Sequence, residues 1–300
     1  MPDQSASLDR PMKAPAIVIA KGATAGEAFV TVAWSCLNHL AHNEAVFLST
    51  RDPEALHQLR VAARRLRSDF SVFRPVWRMD PAGGRLKADL RARALPFGTL
   101  RDLDVLLESV FHEETAASDP ALRAMREQLI REQAVASEQA ASNLESVAWK
   151  RLVSELTHWV QQGSWSRAKK NPARDRSAKY QARRSLGRLR DRVDSLGTDL
   201  AERTPAERHQ VRIEGKKLRY GAEFLGSLYP KKTLEHDALI VALQSMQEHL
   251  GTLNDLATAR TYWSRTLLPE PSFIAEAEAA HLSAAVVARA EVLDVPPFWE

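Results

Sequence analysis

His57-Gln58-Leu59-Arg60-Val61-Ala62-Ala63-Arg64-Arg65-Leu66-Arg67 returns without a gap as His209-Gln210-Val211-Arg212-Ile213-Glu214-Gly215-Lys216-Lys217-Leu218-Arg219. Each copy stands five residues after a helix-capping residue, Asp52 or Thr204, and each cap is followed by Pro at the first helical position. At 100° per residue, His57, Arg60, Arg64 and Arg67 fall within about 80° of one another, along about 15 Å of helix. Leu59, Ala63, Leu66, Phe70 and Phe73 gather on the opposite side, the pattern of a helix with one face in a core. His209, Arg212, Lys216 and Arg219 repeat the stripe, backed by Val211, Gly215, Leu218, Ala222 and Leu225.

A second block repeats in the same order. Gly98-Thr99-Leu100-Arg101-Asp102-Leu103 matches Gly251-Thr252-Leu253-Asn254-Asp255-Leu256, 41 and 42 residues after the respective histidines. Two ordered blocks at matching separations imply a duplication. The rest of the chain is helical in pattern, rich in Ala, Leu, Arg and Glu with only 12 Gly, and no strand-like alternation persists. The spacing predicts a loose arm over 1–23, a first helical half over 24–162, a linker at 163–175, a second half over 176–293 and a tail at 294–300. Within these halves, Pro81-Ala82-Gly83-Gly84 reads as a turn before a helix from about 85, and Gly251 as a break between two helices.

Charge is distributed unevenly on a chain of net charge +4. Arg60 to Arg101 holds 11 Arg/Lys against 3 Asp/Glu, and Arg167 to Arg192 holds 11 against 2, whereas Glu108 to Glu145 holds 3 against 8. Such focusing points to an anionic ligand. The competing reading is a solvated, salt-bridged helix face. The stripes are read as having no carboxylate three or four residues on along the same face, so an anion must supply the neutralisation. A phosphate beside His57 or His209 would favour the protonated imidazole.

Other chemistry finds less support. Cys36, the single cysteine, lies in an apolar run and reads as a buried thiol. His39 and His42 are three apart but lack further metal ligands, and no metal or cofactor is expected. Asp102 and Asp255 are the carboxylates shared by the repeats, and one per half suits orienting an Arg or Lys better than catalysis. The seven Trp residues read as core and anchors. There is neither a signal-peptide pattern nor an apolar run of about 18 residues, so no membrane partner and a cytoplasmic location are expected.

The paired segments DPEALHQLRVAARRLRSDF (52–70) with LRDLDVLLE (100–108), and HQVRIEGKKLRYGAEFL (209–225) with LQSMQEHLGTLNDLATAR (243–260), resemble the CHAD family, the conserved histidine α-helical domain. The resemblance spans roughly 24–293. It implies an all-α fold of two pseudo-symmetric four-helix bundles around a central basic groove or pore, and non-enzymatic binding of inorganic polyphosphate, with targeting to polyphosphate granules in some members. Family binding positions carry over to His57, Arg60, Arg64, Arg65, Arg67, His209, Arg212, Lys216, Lys217 and Arg219. Lys87, Arg91 and Arg183 are additions from neighbouring helices. Phosphate-metabolising enzymes are expected partners, and CHAD domains often follow a CYTH triphosphatase domain, for which the 23 residues before the first helix leave no room. A stand-alone protein or an excised fragment is therefore expected. The alternatives are a polyphosphate or triphosphate phosphohydrolase, which would need clustered carboxylates, and a nucleic-acid-binding protein, which would add stacking or base-reading side chains.

Overall fold

The computed structural model describes residues 10–117, 119–266 and 268–300, so the first nine residues of the expected arm lie outside it. The described residues form fourteen α-helices and no strand: α1 (Ala25–Thr50), α2 (Pro53–Val72), α3 (Arg74–Trp77), α4 (Pro81–Arg93), α5 (Leu95–Ser109), α6 (Glu113–Ala117), α7 (Pro120–Glu145), α8 (Val147–Gln162), α9 (Ser164–Arg167), α10 (Pro172–Asp175), α11 (Ala178–Gly197), α12 (Pro205–Leu225), α13 (Thr233–Trp263) and α14 (Ser272–Asp294). The fold is all-α. No described helix is long and apolar enough to cross a membrane.

The repeated helices begin as their sequences dictate. Asp52 accepts a hydrogen bond from the Glu54 amide at the head of α2, and Thr204 and Glu207 form a reciprocal capping box at the head of α12. Both carry Pro in the first turn.

The chain divides into two compact units. The first comprises residues up to Glu108 together with Glu127–Ala178, and the second Ser109–Arg126 together with Lys179–Glu300. In the first unit α2 packs on α1 and α4, and α4 on α8. Its core is aromatic: Trp159 stacks on Phe70 at 5.1 Å and sits edge-on to Phe29 at 5.9 Å, while Trp165 meets Phe29 at 5.1 Å. In the second unit α13 packs on both α12 and α14. A Cβ on Gly215 would stand 2.5 Å from the Met246 methyl, so glycine lets α13 approach α12 closely.

Three expectations need correction. Pro81-Ala82-Gly83-Gly84 is the first turn of α4, because Asp80 caps it and Gly83 fits where a Cβ would lie 2.4 Å from Trp77 and 2.7 Å from Trp159. The expected linker at 163–175 is packed: Trp165 is buried, Asn171 Nδ2 donates to the Val76 carbonyl at 2.8 Å, and Arg174 Nη1 donates to the Ser166 and Ala168 carbonyls. From Arg10 onward the expected loose arm lies against α1, where His39 Nε2–H donates to the Met12 carbonyl and His42 Nε2–H to the Arg10 carbonyl, both at 2.9 Å. Ile17 and Ile19 are buried there. The tail is also anchored, with Phe298 buried against Tyr229 and His236.

Asp80 ties this region together. Its carboxylate accepts from the Ala82 amide at 3.0 Å, Trp159 Nε1 at 2.9 Å and the Trp165 amide at 3.1 Å. Burial alone would raise its pKa, but hydrogen bonds from Ser164, Trp159 and the two amides outweigh it and hold the carboxyl below its ordinary range. A group with a depressed folded pKa stabilises above the unfolded value and loses that contribution as pH falls. Asp80→Asn is therefore expected to cost about 1–2 kcal/mol at neutral pH, with the gap from wild type closing in acid. Denaturant melts at pH 7 and at successive values below pH 3.8 would read this directly.

Candidate functional site

In α2 the period of the sequence decides which side chains reach the surface. His57, Arg60, Arg64 and Arg67 are all half-buried, with buried Leu59, Ala63, Leu66 and Phe70 behind them. Lys87 and Arg91, from α4, stand beside the C-terminal part of this stripe. Lys87 Nζ donates to Ser71 Oγ at 2.6 Å, one turn beyond Arg67, and Arg91 is within electrostatic reach of Arg67. Burial first, and then the like charges of Arg91 and Arg64, disfavour the charged form of Arg67. Arg67 Nε is enclosed without a hydrogen-bond partner.

His57 sits in the same field. Burial, and then the guanidiniums of Arg101, Arg64 and Arg60, hold its imidazole below the ordinary range, with Glu54 opposing. Its Nδ1 is enclosed and finds no hydrogen-bond partner among the described residues. Without an anion, then, the histidine is biased towards its neutral form.

The structure explains why the two repeated blocks occur together. Arg60 passes over Gly98 of α5, where a Cβ would lie 2.8 Å from Nη1, and reaches Asp102 at 4.0 Å. In the second unit Arg212 lies over Gly251 in the same way, 3.5 Å from a Cβ built there. Gly251 is accordingly not a helix break but an interior residue of the continuous α13. The residue after the block's Leu also faces the histidine in each unit. Arg101 stands by His57, and Asn254 Oδ1 accepts from His209 Nδ1–H at 2.9 Å. Sequence reasoning missed Arg101 and Asn254, although both stand in the repeated block beside the shared Asp.

Alanine at Gly98 should push aside the flexible end of Arg60 without harming α5, since Gly→Ala favours a helix interior by about 1 kcal/mol. Gly98→Ala is thus expected to weaken anion binding by about threefold to tenfold while leaving the melting temperature unchanged or higher. Gly251→Ala, where the same Cβ makes ordinary contact with Arg212, should have little effect on binding. Titration of the two variants side by side checks this.

On α12, His209, Arg212, Lys216 and Arg219 form the predicted half-buried stripe, but its last member is neutralised. Arg219 Nη1 donates to Glu223 at 2.8 Å, Nε donates to Gln247 at 3.0 Å, and the guanidinium covers the Tyr220 ring at 4.7 Å. The reading that no carboxylate follows on this face fails at Glu223, which lies one helical turn beyond Arg219.

Three assigned residues are placed elsewhere. Arg65 is buried, within electrostatic reach of His39. Lys217 pairs at 2.7 Å with buried Glu214, which also holds Arg192 at 3.2 Å. Arg183 is exposed and near Tyr229. Among the described residues, no cluster of three or more His, Cys, Asp or Glu side chains is placed to hold a metal ion.

The family model for the CHAD domain matches residues 31–264. The chain belongs to the CHAD family. A solved CHAD domain, from the plant Ricinus communis, is 28% identical, with a TM-score of 0.76 over 96% of this chain and 98% of that one. PptA from Streptomyces chartreusis shares the CHAD fold at 14% identity, with a TM-score of 0.63 over 91% of this chain and 99% of its own. Among curated proteins, none matches this CHAD chain.

Proposed function

We propose that this CHAD protein binds inorganic polyphosphate without hydrolysing it. The observation that carries the reading is the α2 stripe: Arg64, Arg67 and Arg91 cluster with no carboxylate within ion-pairing distance among the described residues. Guanidiniums so placed repel one another until an anion arrives. A linked row of phosphates, uniformly charged and without bases, supplies the matching acceptors through charge-assisted, often bidentate hydrogen bonds. A location in the cytoplasm and at polyphosphate granules, with phosphate-metabolising enzymes as partners, belongs to the same proposal.

Retention of long-chain polyphosphate on filters across a salt series tests it, since binding through counterion release must weaken steeply with salt. Phosphate release in the presence of Mg²⁺ would overturn the non-enzymatic reading, and preference for DNA or RNA in competition at fixed salt would overturn the ligand.

Proton linkage gives a further check. Phosphates around His57 would raise a pKa that burial and neighbouring guanidiniums hold down in the free protein, so binding takes up a proton. Affinity should fall as pH rises across the imidazole range near 6.5, over which the internal phosphates stay ionised. His57→Gln should flatten the profile, as measured by titrations at successive pH values.

A further inference from the structure

The two basic helices align residue for residue, and at three aligned positions the first unit is more positive. Ala62 stands where the second unit has Glu214, Ser71 where it has Glu223, and Arg101 where it has Asn254. Each difference acts on a neighbouring cation. Glu214 neutralises Lys217 and Arg192, and Glu223 neutralises Arg219. Ser71, by contrast, seats a further cation, Lys87. Where His209 donates to an amide oxygen, His57 has the Arg101 guanidinium within electrostatic reach.

Arg67 and Arg219, each ten residues after its histidine, carry the contrast furthest: Arg219 is satisfied by Glu223 and Gln247, while Arg67 has an enclosed, unpartnered Nε and cationic neighbours. Carboxyls work the other way in the first unit as well, among them Glu54, aligned with Ala206, which opposes the guanidiniums at His57. Glu108 stands 3.9 Å from Arg101 but is 66% exposed, so the pairing is weak. Asp104, aligned with Ala257, is buried, accepts from Gln133 Nε2 at 2.7 Å, and has its pKa raised by burial.

We propose that the two clusters are unequal: the one built from α2, α4 and α5 is by itself a seat for a short inorganic oligophosphate, and the one on α12 is not. This rests on the polyphosphate reading and deepens it by assigning the stronger hold to one half of a duplicated protein. The contacts in this seat are to phosphate oxygens, so a nucleoside attached to the same linked phosphates adds nothing.

Calorimetry of the full chain with tripolyphosphate tests the assignment. One site per chain is expected, weakened about tenfold or more by Arg67→Gln and by Ser71→Glu, and changed less than about threefold by Arg219→Gln. Ser71→Glu installs the carboxylate of the second unit at the aligned, half-buried position, and so keeps the test available should Arg67→Gln fold poorly. Glu223→Ser with Asn254→Arg is expected to create a second site. Two equal sites in the wild type, or equal losses from Arg67→Gln and Arg219→Gln, would overturn the inequality, as would ATP binding more tightly than tripolyphosphate. Filter binding of long-chain polyphosphate separates the two failures: equal sites in a protein that retains the long chain refute this inference alone, whereas retention of neither ligand refutes both readings.

Discussion

Replacing Arg60, Arg64, Arg212 and Lys216 together by Glu is expected to lower affinity for long-chain polyphosphate by at least about a thousandfold at moderate salt. The size follows from the mechanism. Each cation that meets a phosphate releases condensed counterions, so six to ten contacts make affinity vary by about three to five decades across an ordinary salt range. The quadruple variant removes four such cations and adds four repulsive charges in their place. The salt slope should shrink along with the affinity, because fewer counterions remain to be released. All four side chains are half-buried at the surface of helices whose opposite faces fill the cores, so the helices themselves should persist. New glutamates in α2 would also stand one turn from remaining cations such as Arg67, which offsets part of the cost of breaking the Arg60–Asp102 ion pair. Filter binding with a parallel thermal melt measures both. Tight binding by the folded variant would show that the stripes are not the site.

Much of this was legible in the sequence because helical periodicity is a local property. The stripe of α2, its apolar backing and its capped start all follow from residue spacing; that Asp102 orients a cation is expected from the repeat, but that the cation is Arg60 is seen only in the structure. Glycine misled where its reason was tertiary. Gly83 and Gly251 look like turn formers in one dimension, yet both lie within helices: Gly83 is kept small by Trp77 and Trp159, and Gly251 simply continues α13, with Arg212 at ordinary contact distance. The arm and the linker misled for a related reason: their polar composition hides the few residues that anchor them, Ile17, Ile19 and Trp165. Charge counting had a different weakness. It treats every residue of a stretch as sharing one surface, but Arg65 and Asp69 both point inward from α2, and Glu223 was overlooked on a face read as free of acids.

Asp69 leads to the second large effect, one on stability. Asp69 should contribute a loss of stability as pH rises from about 4, by up to about 1.4 kcal/mol per pH unit, and Asp69→Asn should remove that contribution. The Asp69 side chain is fully enclosed, and neither carboxyl oxygen has a hydrogen-bond partner among the described residues. Burial therefore pushes its pKa well above the ordinary 3.8, and the folded protein carries it protonated. In the unfolded chain the same carboxyl ionises near 3.8. Between those two values the folded state binds one more proton than the unfolded state, so each rise in pH favours unfolding. Asparagine keeps the shape and the buried polar character but cannot ionise, which isolates the proton as the cause. The aligned position on α12 is Gly221, so the repeated sequence segment does not require a carboxyl there. Urea midpoints for both proteins at pH 5, 6 and 7 should diverge in favour of Asp69→Asn. Parallel curves would mean that the Asp69 carboxyl is solvated in solution and that α2 is not sealed along its inner face.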